Sequence, residues 1–285
     1  MNTLRINRRQ FLQTSAVAAT LVAAGRLPLL GAEPDSGSGI DPSTGLHAVK
    51  PIRGYLPRFS PIAEPLQGRK SYTLTYDIVH WGGADRKTGM SANSVVGQVV
   101  IKRKAGIGEV AYEITQDTRI GGVKNFIEAE ITCNAGDGIS VREWKVRFYY
   151  TQRQGDTDPL SEIREAGRCR RGQIQIDSGS YRYGYSAKHI LVTQWTVLDF
   201  LIRKANPAAN ATFDLLQDLS LFKPNQSLVY DGKTPLSLKG EKTVTLQAYA
   251  QTGEGVLPIH YLCDEQRRPQ LVTNSILSWA LTKVA

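Results

Sequence analysis

Histidine, cysteine and methionine are scarce in this chain of 285 residues, which holds four, three and two of them. Cys133, Cys169 and Cys263 form neither a CxxC nor a CxxCH, so zinc-ribbon and haem-attachment chemistry lack their ligands. An odd count also excludes a disulfide scaffold and leaves at least one thiol unpaired in an oxidising compartment. His47 lies in a proline-rich stretch, and His80, His189 and His260 belong to no HxH or HExxH pattern, so no metal and no cofactor is expected. The chain has no Gly-x-Ser-x-Gly elbow. Gly106-Ile107-Gly108 and Gly253-Glu254-Gly255 precede no helical pattern, which removes the phosphate cradle. Long apolar runs are missing as well: residues 15–25 (SAVAATLVAAG) are too few to span a bilayer with margin.

What remains is ordinary globular composition, 41% hydrophobic and 21% charged. The formal charge of +9 includes Arg5, Arg8, Arg9 and Arg26 in a leader without acidic residues, so the rest carries +5. That surplus gathers at Arg164, Arg168, Arg170 and Arg171, with Arg267 and Arg268 as a smaller group, and both groups read as solvated loops. For an exported protein, anionic lipid heads or envelope polymers suit such patches, and nucleic acid does not.

Export is the firmest reading. Asn7-Arg8-Arg9-Gln10-Phe11-Leu12-Gln13 resembles the twin-arginine consensus, with Arg8, Arg9, Phe11 and Leu12 in the matching positions. The resemblance implies delivery to the periplasm or beyond by the twin-arginine machinery, after folding in the cytoplasm. Cleavage is expected after Ala32, leaving no stable transmembrane anchor. Replacing Arg8 and Arg9 by lysine is expected to hold the protein in the cytoplasm. Cell fractionation checks this, and unchanged export contradicts the leader.

Residues 33–70 carry six of the 13 prolines. They read as a linker that adds little to stability, with Tyr55 and Phe59 pinning its second half to a groove. Residues 71–285 form the globular domain. From Ser71 the apolar period is two, and the same alternation recurs at 95–104, 109–116, 126–134 and around Trp144 to Tyr150. Ala135-Gly136-Asp137-Gly138 suits a hairpin turn, and residues 152–172 read as a polar interruption. Short strands follow at 173–177 and 181–185.

The period then changes. Over 190–204, Ile190, Leu191, Trp195, Leu198, Leu201 and Ile202 fall on one helical arc, with Thr193, Thr196, Asp199, Arg203 and Lys204 opposite them. A second short helical turn is expected at 213–219, capped by Thr212. Strands resume at 228–230, 242–251, 256–263 and 270–281. The fold class is therefore mainly β, a curved antiparallel meander or half-barrel wrapping one central amphipathic helix.

This element order, closing on His260-Tyr261-Leu262-Cys263-Asp264-Glu265, resembles uncharacterised exported β-rich proteins of Gram-negative envelopes. It is similar to the half-barrel of lipoprotein-localisation factors. The resemblance implies a shape and carries over no functional residue. The leading functional reading is a non-enzymatic binding or carrier module for an apolar or amphiphilic ligand or envelope component. Its pocket is expected between Trp195, Leu198 and Ile202 of the helix and Tyr76, Trp144, Phe148 and Tyr261 of the strands. The alternatives are an envelope hydrolase around His260 and an interaction domain without a small ligand. Glu128 and Glu130 lie on one strand face, where they could serve as the acid and base of a glycoside hydrolase or form the solvent side that an amphipathic strand requires.

Overall fold

A computed structural model describes residues 49–66, 69–81, 93–120, 123–136, 139–151, 161–203, 206, 209–238, 243–274 and 277–285. The leader, with Arg8, Arg9, Phe11 and Leu12, lies outside the described residues, as do His47 and part of the 135–138 turn.

Fifteen strands form one curved, unclosed sheet. The first meander runs through β1 (Tyr72–His80), β2 (Val95–Ala105), β3 (Glu109–Ile120), β4 (Val123–Asn134) and β5 (Ser140–Thr151). It continues through β6 (Ser161–Arg170), β7 (Gln173–Asp177) and β8 (Arg182–Ser186). The chain then crosses to β9 (Leu191–Val192), turns through the helix α1 (Thr196–Arg203), and returns as β10 (Ala211–Gln217) and β11 (Leu221–Ser237). The strands β12 (Thr243–Thr252), β13 (Ile259–Cys263), β14 (Pro269–Asn274) and β15 (Leu277–Val284) complete the return. β15 pairs with β1, so the two meanders join at a seam and the sheet ends at β8 on one side and β9 on the other. Among the described residues every pairing is antiparallel except β9 with β10.

Period-two alternation puts Tyr72, Leu74, Tyr76 and Ile78 of β1 on the inner face with Val99, Ile101, Tyr112, Ile114 and Ile131. The helix packs on this face through Trp195, Leu198 and Leu201. It starts later than its apolar arc because Leu191 and Val192 pair with Asp214 and Leu215 of β10. A reciprocal cap then begins it: the Thr193 amide donates to Thr196 Oγ1 at 2.8 Å, and the Thr196 amide to Thr193 Oγ1 at 3.1 Å.

Several expectations need correcting. Residues 213–219 form no helical turn, since β10 occupies Ala211–Gln217; Phe213, Leu215 and Leu216 are all buried there, a run that periodicity does not separate from a buried helix. Ten residues of the supposed polar interruption, Ser161–Arg170, form β6. β11 runs through Pro224 and Pro235 and is 17 residues long, with a register shift between Tyr230 and Lys233. In place of one strand over 270–281 there are two, β14 ending at Asn274 and β15 beginning at Leu277.

The outer face of β1 and β11–β15 is covered too. Val49, Ile52, Tyr55 and Phe59, on two 3-10 turns (Lys50–Ile52 and Leu56–Arg58) and beside them, pack onto Val79, Leu236, Leu246, Ala248, Leu262, Leu271 and Ala280. The strap is tied by polar groups. Asn93 accepts from the Gly54 amide at 2.8 Å and donates to the Pro51 carbonyl at 2.7 Å, and Gln270 brackets the Ile62 backbone at 2.9 and 3.0 Å. Arg268, far from a solvated loop, is 1% exposed and donates to the Ile62 and Glu64 carbonyls, its charge met by Asp264. A strap packed and tied in this way is expected to stabilise the sheet, contrary to the reading of the stretch as a linker.

Candidate functional site

The structure brings the seven expected pocket residues into one inner cluster, with Tyr76, Trp144, Trp195, Leu198 and Tyr261 buried and Phe148 and Ile202 packed at its margin. Each polar tip in the buried set has a protein partner. Tyr76 donates to the Pro269 carbonyl at 3.0 Å, Trp144 to the Leu219 carbonyl at 3.0 Å, Trp195 to Gln116 at 3.3 Å and Tyr261 to Gln251 at 2.7 Å. Aromatic groups satisfied in this way behave as core. Gly167 adds to the closure: a Cβ there would stand 2.1 Å from the Trp144 ring, so only glycine lets the indole lie against β6.

Thr193, Thr196 and Asp199, opposite the apolar arc, are buried as well, whereas Arg203 is exposed. Asp199 is 3% exposed and Arg103, on the inner face of β2, is 4% exposed. Arg103 Nε donates to Asp199 Oδ2 at 2.6 Å and Tyr112 donates to the same oxygen at 2.5 Å. Oδ1 accepts from Tyr72 and, at 3.0 Å, from Arg203 Nε. Burial, and then the Asp199 charge, push the Tyr72 and Tyr112 phenols well above their ordinary range, so both remain donors. Burial opposes the charge on Arg103, but Asp199 holds its pKa above the usual value. The cluster joins α1 to β1, β2 and β3 and has its hydrogen-bonding capacity filled, which is the arrangement of a clamp.

His260 and Cys263 take opposite faces of β13, because Cys263 belongs to the inner cluster and Leu262, two residues from His260, to the outer one. Burial lowers the His260 pKa, partly offset by Asp231. In the register His260 stands beside Thr273, whose hydroxyl is buried without a partner, as is His260 Nδ1. Thr273 is 1% exposed, so a substrate has no route to it. Cys133 and Cys263 are buried, Cys169 is partly so, and all three thiols are free. Burial raises the thiol pKa at each, away from nucleophilic reactivity. Glu128 is occupied by Arg147 at 3.3 Å and Tyr149 at 3.2 Å.

An open concavity, a trough of about 1230 Å³, lies at the outer face of β4–β8. Lys145, Arg168, Arg170 and Arg182 line it together with Glu130, Glu143 and Asp177. Cross-strand register sets Glu143, Arg168, Gln175 and Gly184 in one row, and Lys145, Ala166, Asp177 and Arg182 in the next. Arg182 holds Asp177 at 2.8 Å, which lowers the carboxyl pKa. Arg170 reaches Glu143 only at 3.9 Å. Arg168 spends Nε and Nη2 on one neutral oxygen, Gln175 Oε1, at 3.0 and 2.9 Å. Beyond Arg147, the stacked pair of Phe126 and Tyr149, 4.6 Å between centroids, extends the same face under Lys124 and Arg147. The arginine grouping was visible in the sequence, but its strand positions were not, because β6 had been read as a loop.

No protein-family model matches the chain, and no curated protein matches it. Among solved structures, a DUF1089 family protein from Pseudomonas aeruginosa is similar at 11% identity and a TM-score of 0.34, covering 60% of this chain and 87% of that one. A likeness of that size carries no argument about function.

Proposed function

We propose that the protein is a non-enzymatic binding module of the cell envelope, exported on its twin-arginine leader, and that it holds an anionic envelope component in the outer trough of β4–β8. The observation that carries this reading is Arg168, a trough cation paired with an amide rather than a carboxylate. Such a guanidinium keeps its charge for an incoming carboxylate or phosphate, to which it binds in a bidentate fork. The hydrolase reading is weakened by the separation of His260 from Cys263 and by the closure around Thr273. An apolar ligand between helix and sheet is disfavoured by the satisfied aromatic tips there.

Polygalacturonate, a carboxylate polymer, tests the trough. The protein is expected to bind it at low salt, and the Arg168→Gln, Arg170→Gln double variant to bind about tenfold more weakly, a loss of ~1.4 kcal/mol. Salt should weaken the wild type more than the variant. Fluorescence anisotropy reads both effects. Equal affinity of the two proteins, or no binding by either, overturns the proposal.

A further inference from the structure

One margin of the trough is the end of the sheet itself. Strand β8 pairs with β7 from Gln173↔Ser186 to Asp177↔Arg182 without a register shift, and among the described residues no strand lies on its other side. The Ala187 amide donates to the Gly172 carbonyl at 2.7 Å, and the Ser178 amide to the Tyr181 carbonyl at 2.9 Å. Antiparallel alternation between those bonds turns Tyr183 and Tyr185 toward β7. It leaves the backbone N–H and C=O groups of Arg182, Gly184 and Ser186 pointing away from the sheet, and all three residues are exposed.

Edge strands are ordinarily blunted by proline, lysine, a bulge or brevity. The opposite end follows that rule, since β9 is two buried residues long. β8 has no proline, lysine or bulge. Gly184 at its centre presents no side chain to an arriving backbone, and a Cβ there would stand 2.3 Å from the Ile174 carbonyl oxygen. The side chains of Arg182 and Ser186 point to the trough face beside Asp177 and Gln173 of β7, with Arg168 and Arg170 one strand further on in β6, while Tyr183 and Tyr185 underlie the inner side.

We propose that β8 accepts an extended polypeptide as a sixteenth, antiparallel strand, with acidic side chains alternating over the trough arginines and apolar ones on the tyrosine side. This rests on the trough as the binding surface and narrows the partner to an acidic peptide segment. In antiparallel addition, the partner residues that exchange backbone hydrogen bonds with Arg182, Gly184 and Ser186 are those whose side chains share the trough face. The acidic residues therefore supply the backbone donors as well as the charge.

The probe is a fluorescein-labelled (Glu-Val)4 peptide, tested against the full mature protein. Binding is expected, with N-methylation of the four glutamates weakening it at least tenfold and N-methylation of the four valines leaving it within threefold. Ser186→Pro, which removes one edge donor at a position an edge strand tolerates, is expected to weaken the parent peptide by a similar factor with an unchanged circular dichroism spectrum. If that variant misfolds, the methylated peptides still decide, because they leave the protein untouched. Equal binding of all three peptides, with loss in Arg168→Gln, overturns strand addition and keeps the trough. Binding of polygalacturonate without the peptide does the same. Binding of neither overturns both.

Discussion

A chain beginning at Lys70 is expected to melt more than ~10 °C below one beginning at Glu33, because it loses several kcal/mol and each counts for about 2 to 4 °C in a domain of this size. The loss has two sources. Val49, Ile52, Tyr55, Phe59 and Leu66 leave the interior, and a buried apolar side chain of this kind contributes ~1.5 to 3 kcal/mol before ordering entropy is set against it. Their removal also uncovers Val79, Leu236, Leu246, Leu262 and Leu271 on the outer face, and strips the Ile62 and Glu64 carbonyls from Arg268. Scanning calorimetry of the two forms measures the difference. A shift of only a few degrees would show that the strap lies on the sheet without stabilising it.

Asp199→Ala is expected to cost ~5 kcal/mol or more in urea unfolding. Breaking a buried ion pair by removing one partner costs ~3 to 5 kcal/mol because the other charge stays buried. Here the Tyr72 and Tyr112 hydroxyls lose their acceptor as well, and each unsatisfied buried donor adds to the cost. Trp195→Ala is the comparison. It leaves a cavity in the same core without stranding a charge and is expected to cost ~3 to 5 kcal/mol. If Asp199→Ala costs less than ~2 kcal/mol, water reaches Arg103 in the variant and the interior of the sheet is more open than its packing implies.

The strands of the first meander were legible because one side of each meets the core and the other meets solvent. The inner-face positions of β1, Tyr72, Leu74, Tyr76 and Ile78, could be read off by period two alone. The clamp was not, since an aspartate on the polar arc of a helix has the same pattern whether solvated or paired. A usable sign stood on β2, where Arg103 takes the inner-face position after Val99 and Ile101. A charge on an apolar face asks for a buried partner. The strap was misread because its prolines outweighed the spacing of Val49, Ile52 and Tyr55, three residues apart, which is the repeat of a 3-10 turn. The trough depends on β6, whose charged residues alternate with Ile163, Glu165, Gly167 and Cys169. That inner face is too polar to announce a strand.

The seam between β1 and β15 sets the order in which this molecule can be assembled. Leu74 opposes Val284, and Thr73 exchanges backbone hydrogen bonds with Ala285 at 2.8 and 3.0 Å. Both meanders are chains of local hairpins that can zip early, whereas the seam closes a loop of about 200 residues and carries its entropic cost. During synthesis the first meander leaves the ribosome with β1 as an unpaired edge, and it keeps that edge until the final strand emerges. The helix is not enclosed before then, because Tyr249, Tyr261, Val272 and Leu281 of the second meander belong to the same inner cluster. Completion of the sheet is thus a late event, and a nascent chain stalled before residue 277 exposes the strand that later lies at the centre of the sheet.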